Sequence, residues 1–390
     1  MRKFLLAALA FALLVPAALV SCKKAETKDV YLRRFEADGL VYGVTNEEEK
    51  TCTVVGPAED EGTEIAIPAE AEGYRVASVA PAAFFGRENL TRVALPGSLR
   101  TVGDNAFCNC TLLEEIDLPE GLELLGWNAF YGCERLNRVS VPSTLTTVER
   151  NAFYDCSHLS RVEIRNVGKW CRIAFEPFYD TFSSNPMWYG AELWHNGAPL
   201  TEALIPEGTE EIADSAFYRC ASLRSVTLPE SLKKIGKYAF AKCASLQAVA
   251  LPDSVTEIGE RAFFACSSLE TATLGAGLQI LSSFAFSECE TLKRIAVPAN
   301  VQTVGSFCFA SCFALEEAEL PAGLVKIEMG AFRVCRSLRE IRYGGTVDQW
   351  RAVDKVVFDP NSIYADLDWN YGWNYSADAF SVICADGVTK

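Results

Sequence analysis

Nine of the chain's fifteen cysteines, Cys110, Cys133, Cys156, Cys220, Cys243, Cys266, Cys289, Cys312 and Cys335, each stand three residues after a phenylalanine. Thiolates ligate metals and thiols cross-link, so a set of this size asks first for one of those chemistries. A tetrahedral metal site needs converging ligands, commonly cysteine pairs about two to four residues apart, and one cysteine per repeat supplies no such pair. A disulfide needs one distinct partner, whereas an evenly occupied column offers each thiol two equivalent neighbours. The closest extra pairs, Cys108 with Cys110 and Cys308 with Cys312, keep a cross-link open if the chain meets an oxidising compartment. The reading that fits the even spacing is a column of buried thiols packed as small apolar side chains.

The other reactive residues form no catalytic constellation. Neither histidine stands in a motif with a serine or cysteine nucleophile and a supporting acid; His158 reads as a solvated surface residue and His195 as a turn residue. No glycine-rich phosphate loop, HExxH or calcium-loop spacing occurs. Glu47, Glu48 and Glu49 read as a solvated hairpin tip. The expectation is therefore a chain without catalysis, metal or cofactor. A formal net charge of −15 argues against a nucleic-acid or anionic-membrane surface, which needs clustered Lys and Arg.

The elements that position the cysteines are repeats. Phe84, Phe107, Phe130 and Phe153 are 23 residues apart, as are Phe217, Phe240, Phe263, Phe286, Phe309 and Phe332, with one gap of 64 between the two series. A fixed period of this length with apolar residues in phase predicts a solenoid. Within a repeat, Leu223, Val226 and Leu228 alternate as in a short strand, and Pro229 ends it. Ile235-Gly236 opens a second extended or turning stretch. Tyr238 to Cys243 predicts a helical or 3-10 turn that puts Phe240 and Cys243 on one side. The fold class expected is mainly β with short helical or 3-10 turns, a curved or twisted solenoid of 23-residue repeats with tryptophan-containing cap and insert segments.

Segment by segment, residues 30–66 predict an N-terminal β cap over the open end of the stack. Residues 67–164 form a first repeat block and 205–343 a second. Residues 165–204 interrupt them as a cap-like excursion, and 344–390 form a C-terminal cap with similar features around Trp170 and Trp350. Residues 1–21 have the basic start, apolar stretch and small residue of a secretory signal. Their Leu19-Val20-Ser21-Cys22 ending resembles the lipobox of bacterial lipoproteins, which implies lipidation of Cys22 and a tether over 22–29.

The core LP-x-S-(L/V)-x-x-I-G-x-x-AF-x-x-C-x-x-L resembles the BspA-like class of leucine-rich repeat. Departures are local: Arg87 replaces a repeat cysteine, Leu274-Gly275 replaces Leu-Pro, and Glu149, Ala213, Ser282 and Glu328 replace the glycine. The resemblance implies an exported lipoprotein, anchored through lipid to the outer membrane or cell surface, that binds extracellular or host proteins as an adhesion or interaction module. Two candidate surfaces follow. The outward strand positions, among them Arg138, Arg161, Ser225, Thr227, Ala248, Ala250, Thr271, Thr273 and Arg294, are charged towards both ends and uncharged from Ser225 to Thr273. Trp188, Trp194, Trp369 and Trp373 of the excursions would instead suit a carbohydrate-binding accessory lipoprotein. A structural envelope role is the third reading.

Overall fold

The computed structural model describes residues 31–59, 62–177, 184–355 and 381–389. The leader, Cys22, the tether, Trp369 and Trp373 lie outside them. Each 23-residue coil contributes a strand of three or four residues to a main parallel sheet, turns a corner, adds a two-residue strand to a second parallel sheet, and returns through a buried turn. Neighbouring coils pair in register, one period apart: Ile212 stands beside Ile235 and Ile235 beside Ile258. Leu223, Val226, Leu232, Ile235, Phe240, Cys243 and Leu246 are all buried. No single coil encloses these side chains; only stacking does, so the repeats stand or fall together.

The corner explains the serine of the repeat. Ser98, Ser231 and Ser254 donate to carbonyls of the preceding coil at 2.7–3.0 Å, as Thr144 does in the same position. The glycine marks a close approach. A Cβ on Gly236 would lie 2.6 Å from the Asp214 nitrogen and 2.7 Å from the Ala213 carbonyl carbon, inside contact distance.

The turn from Tyr238 to Cys243 is a run of single i→i+3 turns rather than a continuous helix. Ala239, Ala241 and Cys243 donate within the turn, to Gly236, Tyr238 and Phe240. The alternate amides of Tyr238, Phe240 and Lys242 donate to Glu260, Ala262 and Phe264 of the next coil at 2.7–3.1 Å. Alternation is made possible by left-handed residues, Tyr238 at φ 55° and Lys242 at φ 62°. Every amide of the turn is thereby satisfied. The phenylalanines stack in two columns with centroids 5.1–5.7 Å apart and planes within 16° of parallel.

All fourteen cysteines among the described residues are buried and unbonded to one another, Cys108, Cys110, Cys308 and Cys312 included. They do more than pack. In eight of the nine repeat positions Sγ donates to the phenylalanine carbonyl of the preceding coil at 3.1–3.3 Å, as Cys266 does to Phe240. Burial pushes the thiols up from an ordinary value of 9.0, Cys110, Cys266 and Cys335 to about 12.

At the N-terminus Arg34–Ala37, Leu40–Asn46 and Thr51–Pro57 form an antiparallel meander, and Thr51–Pro57 joins the second sheet beside Tyr74–Val79. The hairpin tip is tied down: Tyr74 donates to Glu47 at 2.5 Å and accepts from Arg33 at 3.0 Å. Glu47, Glu48 and Glu49 are all exposed, as a solvated tip requires, and Glu47 is in addition tied to Tyr74 and Arg33. The two excursions are built alike. Each runs from a main-sheet strand (Arg161–Ile164; Glu340–Tyr343) through a short helix (Val167–Trp170; Val347–Ala352) to a two-residue second-sheet strand (Ala174–Phe175; Asp354–Lys355). Each then adds a parallel main-sheet strand (Glu192–His195; Ser381–Cys384) that folds back as a hairpin. His195 ends that strand, and Asn196-Gly197 makes the turn. Trp170 is 2% exposed and donates to Ala216 O at 2.7 Å, which fastens the second block onto the excursion.

Two stability outcomes follow. Phe263→Ala should cost about 3–5 kcal/mol, and Cys266→Ala about 1 kcal/mol, because the carbonyl it releases keeps a second donor; urea denaturation of both variants checks this. The raised thiols set a pH dependence. An unfolded chain begins to lose thiol protons near pH 9, while the fold keeps them to about 12, so stability is full below pH 9 and declines as pH rises from there. The urea midpoint under reducing conditions should be level near neutrality and fall above pH 9.

Candidate functional site

The outward side of the main sheet is formed in three units: a seven-stranded sheet ending at Ala198–Pro199, a four-stranded sheet from Glu202–Leu204 to Thr271–Thr273, and a five-stranded sheet from Arg294–Ala296 onwards. Strand alternation sends the middle residue of each three-residue strand inward and the outer two to solvent.

On the first unit the charges are spent on one another. Glu115 meets Arg92 and Arg138 at 3.0 Å each, and Arg138 also reaches Asp117 at 2.9 Å. Hydrogen bonds from Arg92 and then Arg138 hold the Glu115 carboxyl below its usual range. Ser140, which alternation would turn to solvent, is 7% exposed, while its strand partner Asp117 is exposed and pairs with Arg138. Arg161 meets Glu163 at 2.9 Å and sits 3.9 Å over the Trp194 ring, whose Nε1 donates to Glu192. On the third unit Glu317 lies between Arg294, at 3.7 Å, and Arg342, at 2.6 Å, and Arg342 also meets Glu340. Exposed pairs of this kind contribute little stability, but they leave few free charges for a partner.

The middle unit differs. Ser225, Thr227, Ala248, Ala250, Thr271 and Thr273 are all exposed, and no hydroxyl among them bonds a described protein group. The column begins one strand earlier than the sequence suggested, at Leu204, which is 71% exposed. Leu204 holds the position of Thr227, Ala250 and Thr273, and its place in an excursion boundary concealed it. The structure therefore gathers Ser225 to Thr273 on one four-stranded sheet, with Arg294 at its far border and Arg138 and Arg161 inside the ion-paired unit.

The tryptophans do not form a second open platform among the described residues. Trp188 is half-buried and stacks on Tyr218 at 5.0 Å, and half-buried Trp194 carries Arg161 on its face. Arg219 donates to the Trp188 carbonyl at 3.0 Å, so this ring too belongs to the joint between blocks. His158 is exposed, with Nδ1 2.7 Å from the Glu134 carbonyl and 3.4 Å from the Ser157 hydroxyl, and among the described residues no carboxylate bonds its ring. Among the described residues no three His, Cys, Asp or Glu side chains are grouped to hold a metal.

No curated protein matches the chain. Solved structures align over most of it: a leucine rich cell surface protein of Faecalibacterium prausnitzii, 23% identical over 83% of this chain and 97% of that one, TM-score 0.45. A leucine-rich repeat protein of Bacteroides ovatus is 24% identical over 82% and 97%, TM-score 0.40. The pneumococcal vaccine antigen PcpA is 18% identical over 84% and 99%, TM-score 0.47. The model of the BspA type leucine rich repeat region, in six copies, matches residues 74–183, 190–301 and 268–352, well over half of the chain. With the period, the Phe–Cys turn and the paired parallel sheets all in that pattern, the chain belongs to the BspA type leucine-rich-repeat family.

Proposed function

We propose that this chain is a protein-interaction module, exported and held at the cell surface by a lipid on Cys22, and that it binds extracellular proteins on the outward face of its four-stranded middle sheet. The observation that carries this reading is the contrast along that face. Ion pairs occupy both flanking units, while Leu204, Ser225, Thr227, Ala248, Ala250, Thr271 and Thr273 present a strip with unengaged hydroxyls whose one charge is Glu202, at its first strand. Such a strip takes up a partner with little desolvation cost, and solenoids bind on extended surfaces of this kind. The anchor reading rests on the Leu19-Val20-Ser21-Cys22 ending. Among the described residues no helix is long and apolar enough to cross a membrane. The carbohydrate reading loses support at Trp188 and Trp194, which are committed to internal contacts, and rests on Trp369 and Trp373 alone.

The charge substitutions Ala248→Glu and Thr271→Glu should abolish capture of the proteins that the wild-type chain retains from extracellular-matrix extract, with an unchanged thermal midpoint. Retention of the same proteins by both variants would count against the strip. Separately, cells fed labelled palmitate should mark the wild-type chain and leave Cys22→Ala unlabelled.

A further inference from the structure

The rungs of the two sheets do not run unbroken through the second block. In the main sheet Thr271–Thr273 pairs with Ala248–Ala250 but not with Arg294–Ala296. In the second sheet Ile280–Leu281 pairs with Thr303–Val304 but not with Glu257–Ile258. The coil of residues 271–293 thus belongs to its predecessor on one sheet and to its successor on the other. Neighbouring coils identify the bonds that lapse. Glu270 donates to Gln247 and Glu316 to Lys293, each at 2.8 Å, but Lys293 makes no such bond to Glu270. Thr256 donates to Lys233 at 2.9 Å and Gln302 to Gln279 at 2.8 Å, but Gln279 makes none to Thr256.

The turn side shows no such lapse. Phe263 donates to Ala285 at 2.8 Å and Phe286 to Cys308 at 2.9 Å, the rings of Phe263 and Phe286 stack at 5.2 Å, and Cys289 donates to Phe263. A row of larger side chains splints the same coils on the outside: Arg261 lies 4.3 Å over Phe284, and Phe284 stacks on Phe307 at 5.0 Å. These three hold left-handed backbone at φ 56–58°, where the first block uses Asn105, Asn128 and Asn151.

Composition accounts for the break. Ala272 fills the inward place that Val249 and Ile295 hold on either side and is only half-buried, whereas Ala203 and Ala318 at that place are buried and keep their rungs, so the small side chain acts here together with the corner beside it. At the corner, glycine replaces proline, and a Cβ on Gly275 would lie 2.1 Å from the Pro252 oxygen. At Gly275 the corner backbone therefore lies close against the coil before it, while the strand that precedes the corner, Thr271–Thr273, has only Ala272 beneath it and does not pair with the coil that follows.

We infer that the coil of residues 271–293 is a hinge, at which the second block bends about its Phe–Cys turn edge and opens between Thr271–Thr273 and Arg294–Ala296. The hinge stands whether or not the strip binds a partner. If the strip is the binding surface, as proposed above, the hinge sets the angle at which the Arg294 column meets its far border, so that a partner spanning both would be gripped as the face closes.

Hydrogen exchange of the purified protein without any partner tests this. Residues 293–296 and 279–282 should exchange at least about ten-fold faster than residues 316–319 and 302–305 one coil later, while turn residues 284–289 stay as slow as 261–266. Equal protection of the strand segments, or turn exchange as fast as the strands, would overturn the hinge. Ala272→Val, which restores the neighbours' side chain, should slow exchange at 293–296 several-fold; an unchanged rate would overturn the cause assigned to it.

Discussion

A buried turn must satisfy every amide and carbonyl it carries, and in a stack of coils it must do so with its neighbours only about 5 Å away. This chain meets the demand with alternation. One amide closes its own turn, the next reaches across to the following coil, and the phenylalanine carbonyl left facing the core accepts twice. Phe240 O takes the Cys243 amide at 3.2 Å and the Cys266 thiol at 3.1 Å. A thiol suits the place because it is small enough to sit inside the stack, apolar enough to cost little on burial, and carries one weak donor for one spare lone pair. Serine would bring a hydroxyl with more to lose on leaving water, and alanine would bring no donor.

The remaining side-chain choices follow from that arrangement. Left-handed backbone at two places per turn is what lets alternate amides point in opposite directions, and its cost of about 1 kcal/mol per residue falls on whichever side chain stands there. The first block lessens that cost with Asn105, Asn128 and Asn151. The second places Tyr238, Arg261, Phe284 and Phe307 in the same column and offsets the cost by ring and cation contacts between coils. The turn edge is continuous within each block, whereas the sheets of the second block are not. Continuity on one edge with a break on the other is what turns a uniform stack into one with a preferred bend.

Much of this was legible in the sequence because it depends on identity at a fixed period. Phe240, Cys243, Leu246 and Ile235 announce a buried stack by recurring, and the outward columns follow from alternation. What was not legible depends on atoms the pattern does not carry. The recurrence of cysteine shows that it is buried; that Sγ points at a carbonyl depends on turn geometry. Leu274-Gly275 reads as a local departure, yet with Ala272 it accompanies the loss of both ladders beside it. Leu204 was hidden by a boundary, and Trp188 and Trp194 were misleading because an aromatic in an irregular segment reads alike whether it faces solvent or a neighbouring block.

The residues that make the fold and those suited to bind are therefore disjoint. The conspicuous phenylalanine and cysteine columns hold the stack, and the strip from Leu204 to Thr273 is plain because nothing in the protein uses it. The thiol-to-carbonyl rung is the part of this account most open to direct observation, through the S–H stretching band in the infrared. The account predicts that the native band lies below the frequency of an unbonded thiol and returns towards it in denaturant. A native band already at the unbonded frequency would contradict it and reduce the cysteines to packing alone.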